Sequence, residues 1–157
     1  MVAMVEVVEF ILGGEHYALD IHLAREIVEM LQITPIPRAP HYISGVINLR
    51  GEITNIMNLN TMLGLVNQEA RDNQKIIVLV PEAVSGGSNI GIIVDDVIGV
   101  LQVAESDVEH LGEGLASEVS GFVKGIIKLK RDDGDKKNTH LIIWLDVKKV
   151  LEEVVRK

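Results

Sequence analysis

Apolar positions in this chain fall into short runs and alternations rather than long helical stripes. Val5 to Leu12 is rich in β-branched residues and reads as a strand. Gly13-Gly14 is a turn signal, and His16 to Ile21 returns as the second arm of a hairpin. His22 to Ala24 reads as a short helical turn, whereas the apolar spacing of Arg25 to Met30 fits a strand or a helix. Pro35, Pro37 and Pro40 mark an extended, kinked connection, because each fixes φ and restricts its predecessor. Ile43 to Leu49 and Ile53 to Leu59 predict a hairpin that turns tightly at Arg50-Gly51-Glu52, then a helical turn over Asn60 to Leu63 closed by Gly64. The polar stretch Val66 to Gln74 is the best linker candidate. Lys75 to Val80 and Asn89 to Val94 predict a hairpin around PEAVSGGS, followed by a strand over Val97 to Val103. Ala104 to Glu118 reads as an acidic loop with a helical turn. Val123 to Lys130 and His140 to Asp146 form a last hairpin. Val147 to Arg156 follows as an amphipathic helix, apolar at Val147, Val150, Leu151 and Val154.

The second half echoes the first. FVKGIIKLKR (Phe122 to Arg131) lies over YISGVINLRG (Tyr42 to Gly51), with Tyr42 on Phe122, Gly45 on Gly125, Ile47 on Ile127 and Arg50 on Lys130. WLDVKKVL (Trp144 to Leu151) lies over IMNLNTML (Ile56 to Leu63), with Asn58 on Asp146. IGIIVDDVIGVL (Ile90 to Leu101) lies over YALDIHLAREIV (Tyr17 to Val28), with Ala18 on Gly91 and Ala24 on Val97. Three blocks in the same order point to a duplicated small barrel or sheet unit, since two long units are too few for a solenoid. The second copy carries the longer loop, Lys130 to His140. Short strands with Gly and Pro turns suggest small barrels, whose closure removes exposed edges.

A length of 157 residues fits one domain or two closely packed subdomains, and 47% hydrophobic residues are ample for a core. The expected division is a first subdomain at about residues 15–70 and a second at about 75–145, with the N- and C-terminal segments free to cross between them. Net charge is −8 and aromatics are only 3%, which disfavours a nucleic-acid surface or a set of base-stacking platforms. The absence of cysteine excludes disulfides, Cys-ligated metals and thiol catalysis. The N-terminus lacks the basic start of a signal peptide, and no apolar run is long enough for a helix to span a bilayer. A cytoplasmic protein without direct membrane insertion is expected.

Catalytic signals are scarce. No serine lies in a G-x-S-x-G elbow, and no phosphate-binding loop occurs. His16, His22, His41, His110 and His140 lack metal-ligand spacing, and Asp132 to Asp135 lacks the oxygen spacing of a calcium loop. Asp95 and Asp96 point to opposite faces of extended chain, so turn-capping is the better reading. The residues thus offer no metal-ligand set and no assembled catalytic constellation. Arg50 stands apart. A planar fork of donors at a hairpin tip suits either carboxylate recognition or pinning a loop of its own barrel.

YALDI, REI, ITPIPRAP, GVINLRG, the Asn58-Leu59 pair, IGIIVDDVIGVL and LIIWLDVKKVL together resemble the CheW family of chemotaxis coupling proteins over nearly the whole chain. The resemblance implies a mainly β fold of two SH3-like five-stranded β-barrels with a short C-terminal helix. It implies a non-catalytic adaptor coupling the cytoplasmic tips of chemoreceptors to the regulatory domain of the CheA histidine kinase, recruited to membrane-associated receptor arrays. Carried over by position, the receptor groove would use Val8, Ile21, Ala24, Ile27, Val97 and Val100. The coupling and kinase-facing turn would use Ile36, Pro37, Asn48, Arg50 and Gly51. Relatives often carry Asp and a basic residue where this chain has Asn58-Leu59-Asn60, which puts the pairing of that turn in doubt. Another SH3-like interaction scaffold is the alternative. It would show an aromatic-lined groove for proline-rich ligands, or a basic stripe for nucleic acid.

Overall fold

The computed structural model describes residues 3–64, 74–81, 89–110, 122–133 and 136–155. The first half of the chain supplies β1 (Met4–Leu12), β2 (Glu15–Asp20), a 3-10 turn (Ile21–Leu23), β3 (Ala24–Glu29), β4 (Ile43–Leu49), β5 (Glu52–Asn58) and α1 (Leu59–Met62). The second supplies β6 (Lys75–Leu79), β7 (Ile90–Val94), β8 (Asp96–Ala104), a 3-10 turn (Glu105–Asp107), β9 (Val108–Glu109), β10 (Val123–Asp133), β11 (Lys136–Leu145) and α2 (Val147–Val155).

Three stretches differ from the sequence expectation or decide it. The ambiguous Arg25–Met30 segment is a strand, because β6 offers it a full antiparallel partner from Ala24↔Leu79 to Glu29↔Lys75. The expected long loop at Lys130 to His140 is mostly ladder. β10 and β11 stay in register through Lys130↔Thr139, Asp132↔Lys137 and Asp133↔Lys136. The acidic segment after Ala104 contains the unforeseen β9, which pairs with β10 through Val108↔Ile127. The linker expected at Val66 to Gln74 lies, apart from Gln74, outside the described residues, as does most of PEAVSGGS.

The strands form a five-stranded sheet, β3-β6-β7-β5-β4, and a six-stranded sheet, β8-β1-β2-β11-β10-β9. The two orders correspond one to one under the sequence repeat. β3 matches β8, the β6–β7 hairpin matches β1–β2, and β5–β4 matches β11–β10. The Thr34–Val46 bridge matches the short β9. Each half therefore donates its leading hairpin to the other half's sheet. The donated hairpins join through the parallel contacts β5–β7 (Asn55↔Ile90 to Asn58↔Ile93) and β11–β2 (Ile143↔Tyr17, Trp144↔Ala18). This exchange is why the sheets do not follow the expected 15–70 and 75–145 division. β2 lies with the later strands, and β6 and β7 lie with the earlier ones. The result is a mainly β, duplicated SH3-like fold with a short C-terminal helix.

Strand alternation sorts side chains into three cores. Val7, Ala18, Val103, Val108, Ile127 and Ile142 fill one sheet. Ile47, Ile56, Ile76 and Val78 fill the other. The opposite faces of both donated hairpins meet in the largest cluster. It holds Val8, Phe10, Leu12, Tyr17 and Leu19 from one hairpin and Ile77, Leu79, Ile90, Ile92 and Val94 from the other. Val147 and Leu151 of α2 close it. The hairpin strands are apolar on both faces because each face has its own core. Each fully buried aliphatic side chain contributes about 1.5–3 kcal/mol, and the largest share of them among the described residues lies where the halves interlock.

The chain crosses between sheets twice, from β2 to β3 and from β7 to β8. A buried aspartate stands at each crossing. Asp20 accepts from Lys124 Nζ and Trp144 Nε1, both at 2.6 Å. Asp95 accepts from the backbone N–H of Gly13 at 2.7 Å, and its own N–H donates to Ile11. The capping role expected of Asp95 is thus seen. The repeat extends to the helix caps. Asn58 accepts from Thr61 N at 3.2 Å and Asp146 accepts from Lys149 N at 3.1 Å. The N–H groups of these two caps donate to the carbonyls of Tyr42 and Phe122, at 2.8 Å in both cases. Gly45 and Gly125 are fixed by close backbone approach. A Cβ on Gly45 would lie 2.3 Å from Thr34 O, and one on Gly125 would lie 3.1 Å from Glu109 O.

Gly45→Ala should therefore destabilise the protein by about 3 kcal/mol, combining overpacking with a positive φ. Gly51→Ala, where a Cβ meets open space, should cost about 1 kcal/mol. Urea unfolding of both variants checks the difference. Equal effects would show that the contact with Thr34 does not constrain Gly45.

Candidate interaction surfaces

β3 and β8 are equivalent edge strands, each bonded on one side only. Ile27 in β3 faces Ile77, and Val100 in β8 faces Val8. Residues directly opposite in a ladder share a face, so Ile27 and Val100 lie on the side of the central cluster that holds Val8 and Ile77. They are 73 positions apart, the offset of the repeat in this region. They are also substantially exposed, Ile27 at 42% and Val100 at 61%. Ile21, Ala24 and Val97 are half-buried and pack against the same cluster. Ile21, Ala24 and Val97 thus border the central cluster, and Ile27 and Val100 lie opposite two of its members on the two edge strands. Val8 does not present itself at the surface. It is 2% exposed, because the two donated hairpins enclose it, and it supports the surface from beneath.

The sequence reading missed Ile98, which is exposed on the same edge strand. Glu9 pairs with Gly99 and Phe10 with Val97, so Ile98 is an extra residue in β8. Such a bulge turns a side chain outward. The signal available beforehand was Gly99, a glycine inside a strand pattern.

The second surface is the β4–β5 turn. Arg50 and Gly51 have φ of 50° and 87°. Positive φ at both central residues is the signature of the hairpin turn whose twist matches its strands. The Asn48 side-chain oxygen accepts from Gly51 N at 2.8 Å and steadies the turn. The guanidinium of Arg50 donates to Glu26 in β3. Of the two roles open to Arg50, pinning within its own barrel is therefore realised, by a carboxylate rather than a loop carbonyl. β3 and β4 are opposite edges of one sheet, so this pair bridges the sheet's two margins and marks its closure. Arg25 lies 3.7 Å from Glu52, a second link between the same elements. Ile36, Pro37, Asn48, Arg50 and Gly51 are all exposed. The hydrogen bond from Arg50 pulls the Glu26 carboxyl below its ordinary value. Desolvation opposes this, and the charges of Arg50 and Arg25 reinforce it.

Residues 6–155 match the family model described as the CheW-like domain. The chain belongs to the CheW family. Relatives include the chemotaxis protein CheW of Thermotoga maritima, 31% identical over 97% of this chain and 91% of that protein. The chemotaxis protein CheW of Bacillus subtilis is 30% identical over 78% of this chain and 76% of that protein. The crystal structure of the scaffolding protein TtCheW from Thermoanaerobacter tengcongensis superposes with a TM-score of 0.73 at 31% identity, covering 92% of this chain and 90% of that one. On this CheW fold, two polar constellations lay outside the sequence reading. Glu9 is buried in β1 and meets His16 Nδ1 at 2.6 Å. Lys124, besides its bond to Asp20, stands 5.2 Å over the Trp144 ring. Both join residues that are remote in the pattern or set on neighbouring strands, and a single sequence gives no signal for them.

The Glu26–Arg50 pair has a testable pH signature. A lowered folded-state value means stabilisation present above the ordinary carboxylate value of 4.5 and lost as pH falls through the folded value. Arg50→Gln should leave the fold intact and raise the Glu26 titration midpoint in a carboxyl NMR titration. An unchanged midpoint would show that the pair does not persist in solution.

Proposed function

We propose that this protein is a non-catalytic chemotaxis adaptor that couples the cytoplasmic tips of chemoreceptors to the CheA histidine kinase. The observation that carries this reading is the apolar character of the two equivalent edge strands, with Ile27 and Val100 exposed and Ile21, Ala24 and Val97 half-buried against the central cluster. An apolar strip rimmed by polar strand residues suits the apolar face of a helix, and a receptor tip is a helical hairpin. The kinase regulatory domain is assigned to the other surface, around Ile36, Pro37 and the Asn48–Gly51 turn. The names of the relatives, chemotaxis protein and scaffolding protein, support the same role. The activity needs no cofactor in this reading, because docking surfaces alone perform it. Among the described residues no helix is long and apolar enough to cross a membrane. The protein is read as cytoplasmic and brought to receptor arrays by its partners.

Calorimetric titration against a CheA regulatory domain and against a receptor-tip hairpin tests the reading. Saturable binding to both is expected. Ile27→Asp should weaken receptor-tip binding ~10-fold or more, the loss of one apolar anchor, and leave kinase-domain binding unchanged. Binding to neither partner by a folded protein would sink the adaptor reading and favour another SH3-like scaffold. Unchanged tip binding by the variant would move the receptor site off β3.

A further inference from the structure

Two residues other than glycine have positive φ among the described residues, and both are arginines: Arg38 at 62° and Arg50 at 50°. A left-handed backbone costs such a residue about 1–2 kcal/mol. Arg50 has a visible reason in its bond to Glu26. Arg38 has none of that kind. It is exposed and makes no ion pair among the described residues.

The turn that holds Arg38 is well defined. Ala39 N donates to Ile36 O at 3.3 Å, Pro37 occupies the second position and Arg38 the third. Proline followed by positive φ is the type II pattern, and glycine is the residue that adopts its third position without strain. Pro37 and Pro40 further limit the backbone, so the guanidinium projects from a rigid base. Beside it, Ile36 is 41% exposed. The charge around this turn runs against that of the chain as a whole. From Met30 to Gly51 there are two arginines and no Asp or Glu, in a protein with 23 acidic and 15 basic residues.

We propose that Arg38 is a charge anchor for a carboxylate-bearing patch on the kinase regulatory domain, set at the rim of the apolar contact made by Ile36 and Pro37. This rests on the kinase-facing assignment above and adds the partner's chemistry to it. A rim charge on a preorganised turn acts chiefly by steering encounter, so its effect lies in the association rate and in salt dependence.

The test is stopped-flow association of this protein with the kinase regulatory domain, using wild type, Arg38→Gly and Arg38→Lys. A receptor-tip hairpin is measured in parallel. Arg38→Gly relieves the left-handed strain, so its thermal midpoint should hold or rise, and lost binding cannot be blamed on unfolding. At about 0.05 M salt its association rate should fall roughly 3- to 10-fold, and the difference should vanish by about 0.5 M. Dissociation should change little, Arg38→Lys should restore most of the rate, and receptor-tip binding should stay unchanged. Wild-type association by Arg38→Gly at low salt would overturn the proposal. So would a defect confined to the receptor tip, or a clear drop in its thermal midpoint, which would make Arg38 structural. Failure of the wild-type protein to bind the kinase domain would instead overturn the reading on which the proposal stands.

Discussion

The parallel contacts β5–β7 and β2–β11 are the constraint on which the rest of this structure depends. Through them each half of the chain receives a hairpin from the other. Without the donated hairpin, β3 would lose its partner β6 and β8 would lose β1. The same hairpins build the largest core with their outward faces, so sheet completion and inter-sheet packing are one event. The two barrels are therefore not independent beads on a chain. Their edge strands, and the apolar residues displayed there, exist because the exchange positions them.

Much of this was legible beforehand, for identifiable reasons. Alternation of β-branched residues with Gly and Pro punctuation located β1, β2, β4, β5, β6 and β7 within a residue or two. The repeat in the sequence foretold two similar units. It even aligned Ala18 with Gly91, the two small residues through which each donated hairpin approaches a barrel interior. The exchange itself was hidden, because hydrophobic pattern states which face is buried and not against which strand. The extended β10–β11 ladder was hidden too, since so polar and charged a stretch is equally at home in a loop.

The candidate surfaces divide in the same way. Ile27 and Val100 could be named from position, and backbone pairing then set each opposite a member of the central cluster. Val8 was misjudged because a strand with two apolar faces does not announce that both are covered. The bond from Arg50 to Glu26 joins residues 24 apart, at opposite margins of one sheet, and only closure of that sheet brings them together.

The buried aspartates at the two sheet crossings bear on how such a molecule could move. Asp20 and Asp95 stand where the chain leaves one sheet for the other, the usual place for a hinge. Each bonds to a distant element: Asp20 to Lys124 in β10 and Trp144 in β11, and Asp95 to Gly13 in the β1–β2 turn. Swinging one sheet against the other at either crossing would first have to break these bonds, so the crossings are latched where a free hinge would otherwise lie.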